Sequence, residues 1–143
     1  MKLILIALAL FATGLLFQLC KHQPKFSPDN LPVKQLRWGN GGGFTGRENT
    51  NVLLENGQLF SNKLSGEFKE AEEKAKSKTS AALFKSVQAL NLGKMEFVHP
   101  GNLYQFIEFH DGDAVQRVVW GDASFPVDPA IQSLFDQLNG LLK

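Results

Sequence analysis

His99, His110, Asp111 and Asp113 are the metal-binding or proton-transferring side chains that stand closest together in this chain, and Cys20 is its single thiol. A zinc centre needs three or four convergent ligands, and its helical form spaces two histidines as HExxH. No such spacing occurs. Asp111-Gly112-Asp113 lacks the ladder of oxygen ligands that a calcium loop requires, and reads as the chemistry of a tight turn. There is no GxSxG elbow to present a nucleophilic serine. The glycine-rich stretch ends without GK[ST] and leads toward a strand, so it offers no helix N-terminus to cradle phosphate. The expectation is therefore a non-enzymatic protein with no metal and no cofactor.

What the chain concentrates instead is glycine. Residues 38–46 (WGNGGGFTG) hold five glycines around Phe44. Glycine reaches positive φ without steric cost, so the run permits a sharp reversal, a bulge or a close approach of main chain to another surface. Gly41, Gly42, Gly43, Phe44, Thr45 and Gly46 are the candidate partner-binding residues. Two arrangements are open: Phe44 projects and docks, or it is buried beneath the turn as an anchor.

The segments on either side limit where such a loop can sit. Lys2 followed by an apolar run over residues 3–17 has the basic and hydrophobic regions of an export signal. The run is short of the roughly 20 apolar residues of a membrane-crossing helix. Cys20 follows directly, as in a lipoprotein precursor, although Gln18 and Leu19 stand where small residues are usual. Residues 1–20 are thus read as a signal peptide or lipoprotein-type leader, leaving the protein secreted, periplasmic or held at a membrane through an N-terminal lipid or anchor. Residues 21–32 (KHQPKFSPDNLP) are proline-rich and read as an extended tether. Residues 33–143 form one domain of ordinary globular composition. With one cysteine no intrachain disulfide can form, so the domain must rely on packing. Fifteen basic and fourteen acidic residues become fourteen of each once Lys2 leaves with the leader. That balance supplies no basic field for nucleic acid.

Within the domain, Leu36 and Trp38 alternate with Val33, Gln35 and Arg37, the period of a half-buried strand that the glycines then end. Residues 50–55 and 58–64 flank Asn56-Gly57, a signature of a type I′ hairpin. Residues 67–76 are charge-dense and fit either an edge segment or the opening of a helix. From Ser77 the period changes: Leu83, Phe84, Val87 and Leu90 share a helical stripe, with Ser77 or Thr79 as cap and Gly93 as terminator. Residues 95–102 form a short extended piece. Residues 103–110 and 114–120 flank an Asp111-Gly112 turn as a second hairpin, and Asp128 caps a last helix through Ile131, Leu134, Phe135, Leu138, Leu141 and Leu142. The fold class expected is α+β: an antiparallel sheet of four to five strands, in two hairpins, with two helices packed on one face.

This order of elements resembles emfourin, a small bacterial inhibitor of thermolysin-like zinc metalloproteases, and its relatives. The likeness rests on the turn Gly42-Gly43-Phe44-Thr45-Gly46, a central helix, the aromatic strand 104–109, the return strand ending Val118-Val119-Trp120, and the proline-led final helix from Pro126. Four features depart from it: a longer stretch over 58–76, a third glycine before Phe44, Thr45 where alanine is more typical, and the export leader with its tether. The resemblance implies a plug mechanism, in which the loop 41–46 enters a protease cleft. Glycine-turn domains behind a lipoprotein-like leader also resemble small bacterial envelope proteins, for which a structural or small-ligand-binding role is the alternative.

Overall fold

The computed structural model describes residues 23–63 and 66–142. The expected leader 1–20, with Cys20, lies outside the described residues. Among the described residues no helix is long and apolar enough to cross a membrane.

The chain is α+β, as its periodicities require. Strands β1 (Gln35–Gly42), β2 (Asn49–Leu53), β3 (Leu59–Ser61), β4 (Lys69–Glu70), β5 (Val98–His99), β6 (Leu103–Asp111) and β7 (Ala114–Trp120) form one sheet in the order β4-β3-β2-β1-β6-β7-β5. Helices α1 (Ser77–Leu90) and α2 (Pro129–Asn139) cover one face. The sheet thus has seven strands, not four or five, and it is mixed, because β5 runs parallel to β7. The two additional strands, β4 and β5, are two residues long and lie at the edges, too short to show a period of two. Short edges of this kind leave few backbone groups free to pair with another chain.

Packing follows the alternation. Leu36, Trp38, Ile107, Phe109, Val118 and Trp120 point to the helical side, where they meet Leu83, Phe84 and Val87 of α1 and Ile131, Leu134, Phe135 and Leu138 of α2. Each such fully buried side chain contributes about 1.5–3 kcal/mol. Trp38 is completely buried, and its indole N–H donates to Asn139 Oδ1 at 3.0 Å, tying the centre of the sheet to the end of α2.

The opposite face is partly covered as well. Val52, Leu54 and Phe60 form a second cluster beneath Phe26, Leu31 and Phe68. The segment expected to stand clear as a tether is laid back on the sheet from Pro24 onward. Gln58, fully buried, accepts from Phe26 N at 2.8 Å and donates to Phe26 O at 3.0 Å, while Asn56 Nδ2 donates to Pro24 O at 2.7 Å. Its prolines extend it, but Phe26 and Leu31 give it something to bury.

Local details differ from the sequence reading in several places. At the first hairpin Gly57 alone has positive φ, and Leu54 N bonds to Gln58 O, so the connection is a three-residue loop with a glycine bulge, not type I′. In the second hairpin the central pair is Gly112-Asp113, since Asp111 pairs with Ala114. Positive φ at its first position only, φ 64° at Gly112, suits type II′. Residues 67–76 supply the edge strand β4, and α1 begins only at Ser77, with Lys76 as an N-cap that makes no side-chain bond. The helix ends at Asn91 (φ 51°) and not at Gly93, because asparagine also tolerates the left-handed conformation. The predicted cap of α2 is present, Asp128 Oδ1 accepting from Ala130 N at 2.8 Å, but the helix ends at Asn139 with Gly140 as its C-cap, so Leu141 and Leu142 pack against the core from beyond it.

Candidate functional site

The glycine stretch is half strand and half turn. β1 does not stop at Trp38 but continues through Gly42, paired on both sides as far as Asn40, with Gly39 between Thr50 and Phe106, and with β6 alone beyond it, where Gly41 faces Tyr104. Gly39 and Gly41 face away from the helices, and aromatic side chains of β6 fill the space their missing Cβ atoms leave. A Cβ on Gly41 would sit 2.6 Å from the Tyr104 Cζ and hydroxyl, and one on Gly39 would overlap the Asn49 carbonyl oxygen and come within 3.2 Å of the Phe106 ring. These two glycines are needed for close approach. Gly42 and Gly43, with φ of 93° and 70°, make the reversal.

Beyond them the chain closes a four-residue turn, with Gly46 N bonded to Gly43 O at 3.2 Å and Gly43 N bonded to Asn102 O at 2.7 Å. Phe44 stands at its apex, fully exposed at 108 % of the reference area, and is no buried anchor. Thr45 and Gly46 are exposed too. Leu103, itself 69 % exposed, lies beside the turn, its Cδ2 3.3 Å from where a Gly43 Cβ would be.

The returning foot of the turn is Glu48, and a network across the open face holds it. Glu48 Oε1 accepts from the Tyr104 hydroxyl at 2.9 Å and pairs with Arg117. Arg117 also donates to Glu108 Oε2 at 2.7 Å and lies 4.2 Å from the centre of the Phe106 ring. Glu108 pairs in turn with His110. Burial works against the Glu108 carboxylate, yet hydrogen bonds from His110 and Arg117, with their charges, hold it below the ordinary carboxylate value. Burial raises the Tyr104 phenol, helped by its bond to the Glu48 carboxylate. The pattern is a strap of charge-assisted bonds from β7 across β6 to the turn.

At the same end of the sheet the glycine turn borders a cleft of about 930 Å³, lined from the open face by Gly41, Glu48 and Tyr104, from the helical face by Asn40, Asn49 and Gln105, and by Thr45 and Arg47 of the turn. Arg47 makes no ion pair or hydrogen bond among the described residues.

The structure does not unite the titratable residues singled out in the sequence. His99 is beside Trp120 and His110 beside Val115, at opposite ends of β7. His99 stacks on Phe125, with centroids 4.1 Å apart and planes 10° apart. Asp111 and Asp113 are exposed at the hairpin. Among the described residues no group of three or more His, Cys, Asp or Glu could hold a metal ion. Gly41 to Gly46, in contrast, do form one feature. The sequence reading missed Glu48, Glu108 and Arg117. A two-residue loop between Asp111 and Ala114 places Glu108 opposite Arg117, so that pair was readable from hairpin register. Glu48 carries no such signal.

Comparison with known proteins returns no match, either to a protein-family model or to a curated protein sequence.

Proposed function

We propose that this chain is an exported, non-enzymatic binding domain that engages a protein partner through the turn 41–46, as the emfourin-like features of its sequence imply, with a thermolysin-like zinc metalloprotease as the partner class. The observation that carries the reading is the complete exposure of Phe44 on a turn fixed at both feet, by Gly43 N to Asn102 O and by Glu48 to Tyr104 and Arg117. A free phenylalanine side chain has about 1.5–3 kcal/mol to gain from entering an apolar pocket. A turn already held in place loses little conformational entropy on docking. The action is steric: the wedge occupies the partner's cleft and no bond is made or broken. Leader and lipid attachment at Cys20 would keep the domain at the membrane or release it outside the cytoplasm.

The test is a titration of hydrolysis by a thermolysin-like protease with the wild-type chain and with Phe44→Ala. Inhibition at micromolar protein that Phe44→Ala abolishes supports the reading, and hydrolysis unchanged by the wild type removes the protease as partner. Mass spectrometry of the protein made in bacteria with its leader shows whether Cys20 carries lipid. The cleft beside the turn favours a second reading, an envelope protein that binds a small ligand.

A further inference from the structure

The helices leave the ends of β1, β2 and β6 uncovered, while α2 still packs Phe135 against Trp120 of β7. α2 closes at Asn139, which takes the Trp38 indole N–H. The next row outward on the same face is Asn49, Asn40, Gln105 and Trp120, in directly paired register across β2, β1, β6 and β7, and all four line the cleft. Asparagine is depleted in strands, and here three carboxamides occupy adjacent strands about 4.8 Å apart. Asn49 Nδ2 donates to Asn40 Oδ1 at 3.1 Å. That leaves the Asn40 amide protons, Asn49 Oδ1 and both ends of the Gln105 amide without a partner among the described residues. The Glu48 carboxylate at the rim is already engaged by Tyr104 and Arg117.

We infer that this cleft binds a neutral oligosaccharide, gripped by the carboxamide row Asn49, Asn40 and Gln105. The inference rests on the second reading above and not on the docking of Phe44. A carboxamide presents a donor and an acceptor side by side, and a sugar's neighbouring hydroxyls each donate and accept, so one amide can serve two of them. Leu103, largely exposed, supplies the apolar surface that the C–H face of a sugar ring needs, and the buried Trp120 closes the far end of the row. A peptide fits less well. The row crosses strand ends instead of following a sheet edge, so an extended peptide finds no ladder of free N–H and C=O groups to continue. At about 930 Å³ the cleft is near the upper end of small-molecule sites, roughly 300–1,000 Å³, with room for two or three sugar rings.

The experiment is an NMR titration of the isotope-labelled protein with cellotriose, chitotriose and maltotriose, with tetra-alanine as the peptide control. Saturable shifts of the Asn40 and Gln105 side-chain amide signals with at least one trisaccharide are expected. Gln105→Leu should weaken that binding about tenfold, the loss of one or two hydrogen bonds. Gln105→Glu, which keeps the side chain's shape, serves if the leucine variant does not fold, and should weaken it similarly. No saturable shift at about 10 mM of any of the three sugars would overturn the inference, since even weak sites are visible there. So would shifts confined to residues outside the cleft, or the same shifts produced by tetra-alanine alone. The readout lies on named cleft amides, so it succeeds or fails independently of any protease.

Discussion

Adding one methyl group at Gly39 tests the claim that the glycine run is a packing requirement before it is a flexible loop. Gly39 has no left-handed φ, so Gly39→Ala brings no backbone strain of its own. Its methyl would instead overlap the Asn49 carbonyl oxygen and press on the Phe106 ring at 3.2 Å. The carbonyl is part of the backbone of β2 and cannot swing aside as a side chain can. Overpacking of this kind costs about 1–3 kcal/mol, and a backbone obstacle puts Gly39 at the upper end. Reduced freedom of the unfolded chain returns about 0.4–1 kcal/mol. The net expectation is a loss of about 2 kcal/mol. Gly46→Ala is the control: φ is 61°, but nothing lies within 4 Å of the added atom. Only the left-handed penalty of about 1–2 kcal/mol applies, offset by the same unfolded-state term, for a net loss of about 1 kcal/mol or less. Urea unfolding followed by the fluorescence of Trp38 and Trp120 measures both. A Gly39→Ala protein within about 0.5 kcal/mol of wild type, or one more stable than Gly46→Ala, would refute the packing argument.

Asp128→Ala removes the side-chain cap of α2 and should lower stability by about 1 kcal/mol, read as a reduced urea midpoint with unchanged slope. Arg117→Met severs the strap to Glu48, and amide hydrogen exchange over residues 43–48 should speed up while exchange in α1 stays the same; Arg117→Lys should restore only part of the protection, since one ammonium cannot reproduce the guanidinium's two-sided grip. Because Glu108 holds its proton less tightly folded than unfolded, its contribution is complete above the ordinary carboxylate pKa of about 4.3 and disappears as pH falls through the lower folded value. Glu108→Gln should therefore flatten the acid limb of the stability profile, and an unchanged limb would show that this carboxylate is not what titrates there.

The helices were readable because each puts a complete apolar stripe on one side: Leu83, Phe84 and Val87 in α1, and Ile131, Leu134, Phe135 and Leu138 in α2, are buried as their spacing requires. The longer strands were readable for the same reason at a period of two. β4 and β5 were not, because two residues carry no period and their pairing depends on a neighbour already in place. The segment 23–32 looked like a tether because proline and polar residues dominate it. Its docking depends on partners distant in sequence, the buried Gln58 that bonds Phe26 and the apolar cluster Val52, Leu54 and Phe60 that receives Phe26 and Leu31.

The sequence alone determined that this is an α+β chain with a glycine-rich turn, and that Gly41 to Gly46 form one local feature, since those properties reside in neighbouring residues. Tertiary structure decided that Gly39 and Gly41 lie beneath Phe106 and Tyr104, that Phe44 faces solvent, and that Glu48 is fixed by Arg117. Those outcomes depend on which strands become neighbours and in what register, and a side chain's exposure is set by residues sixty positions away as much as by its own chemistry.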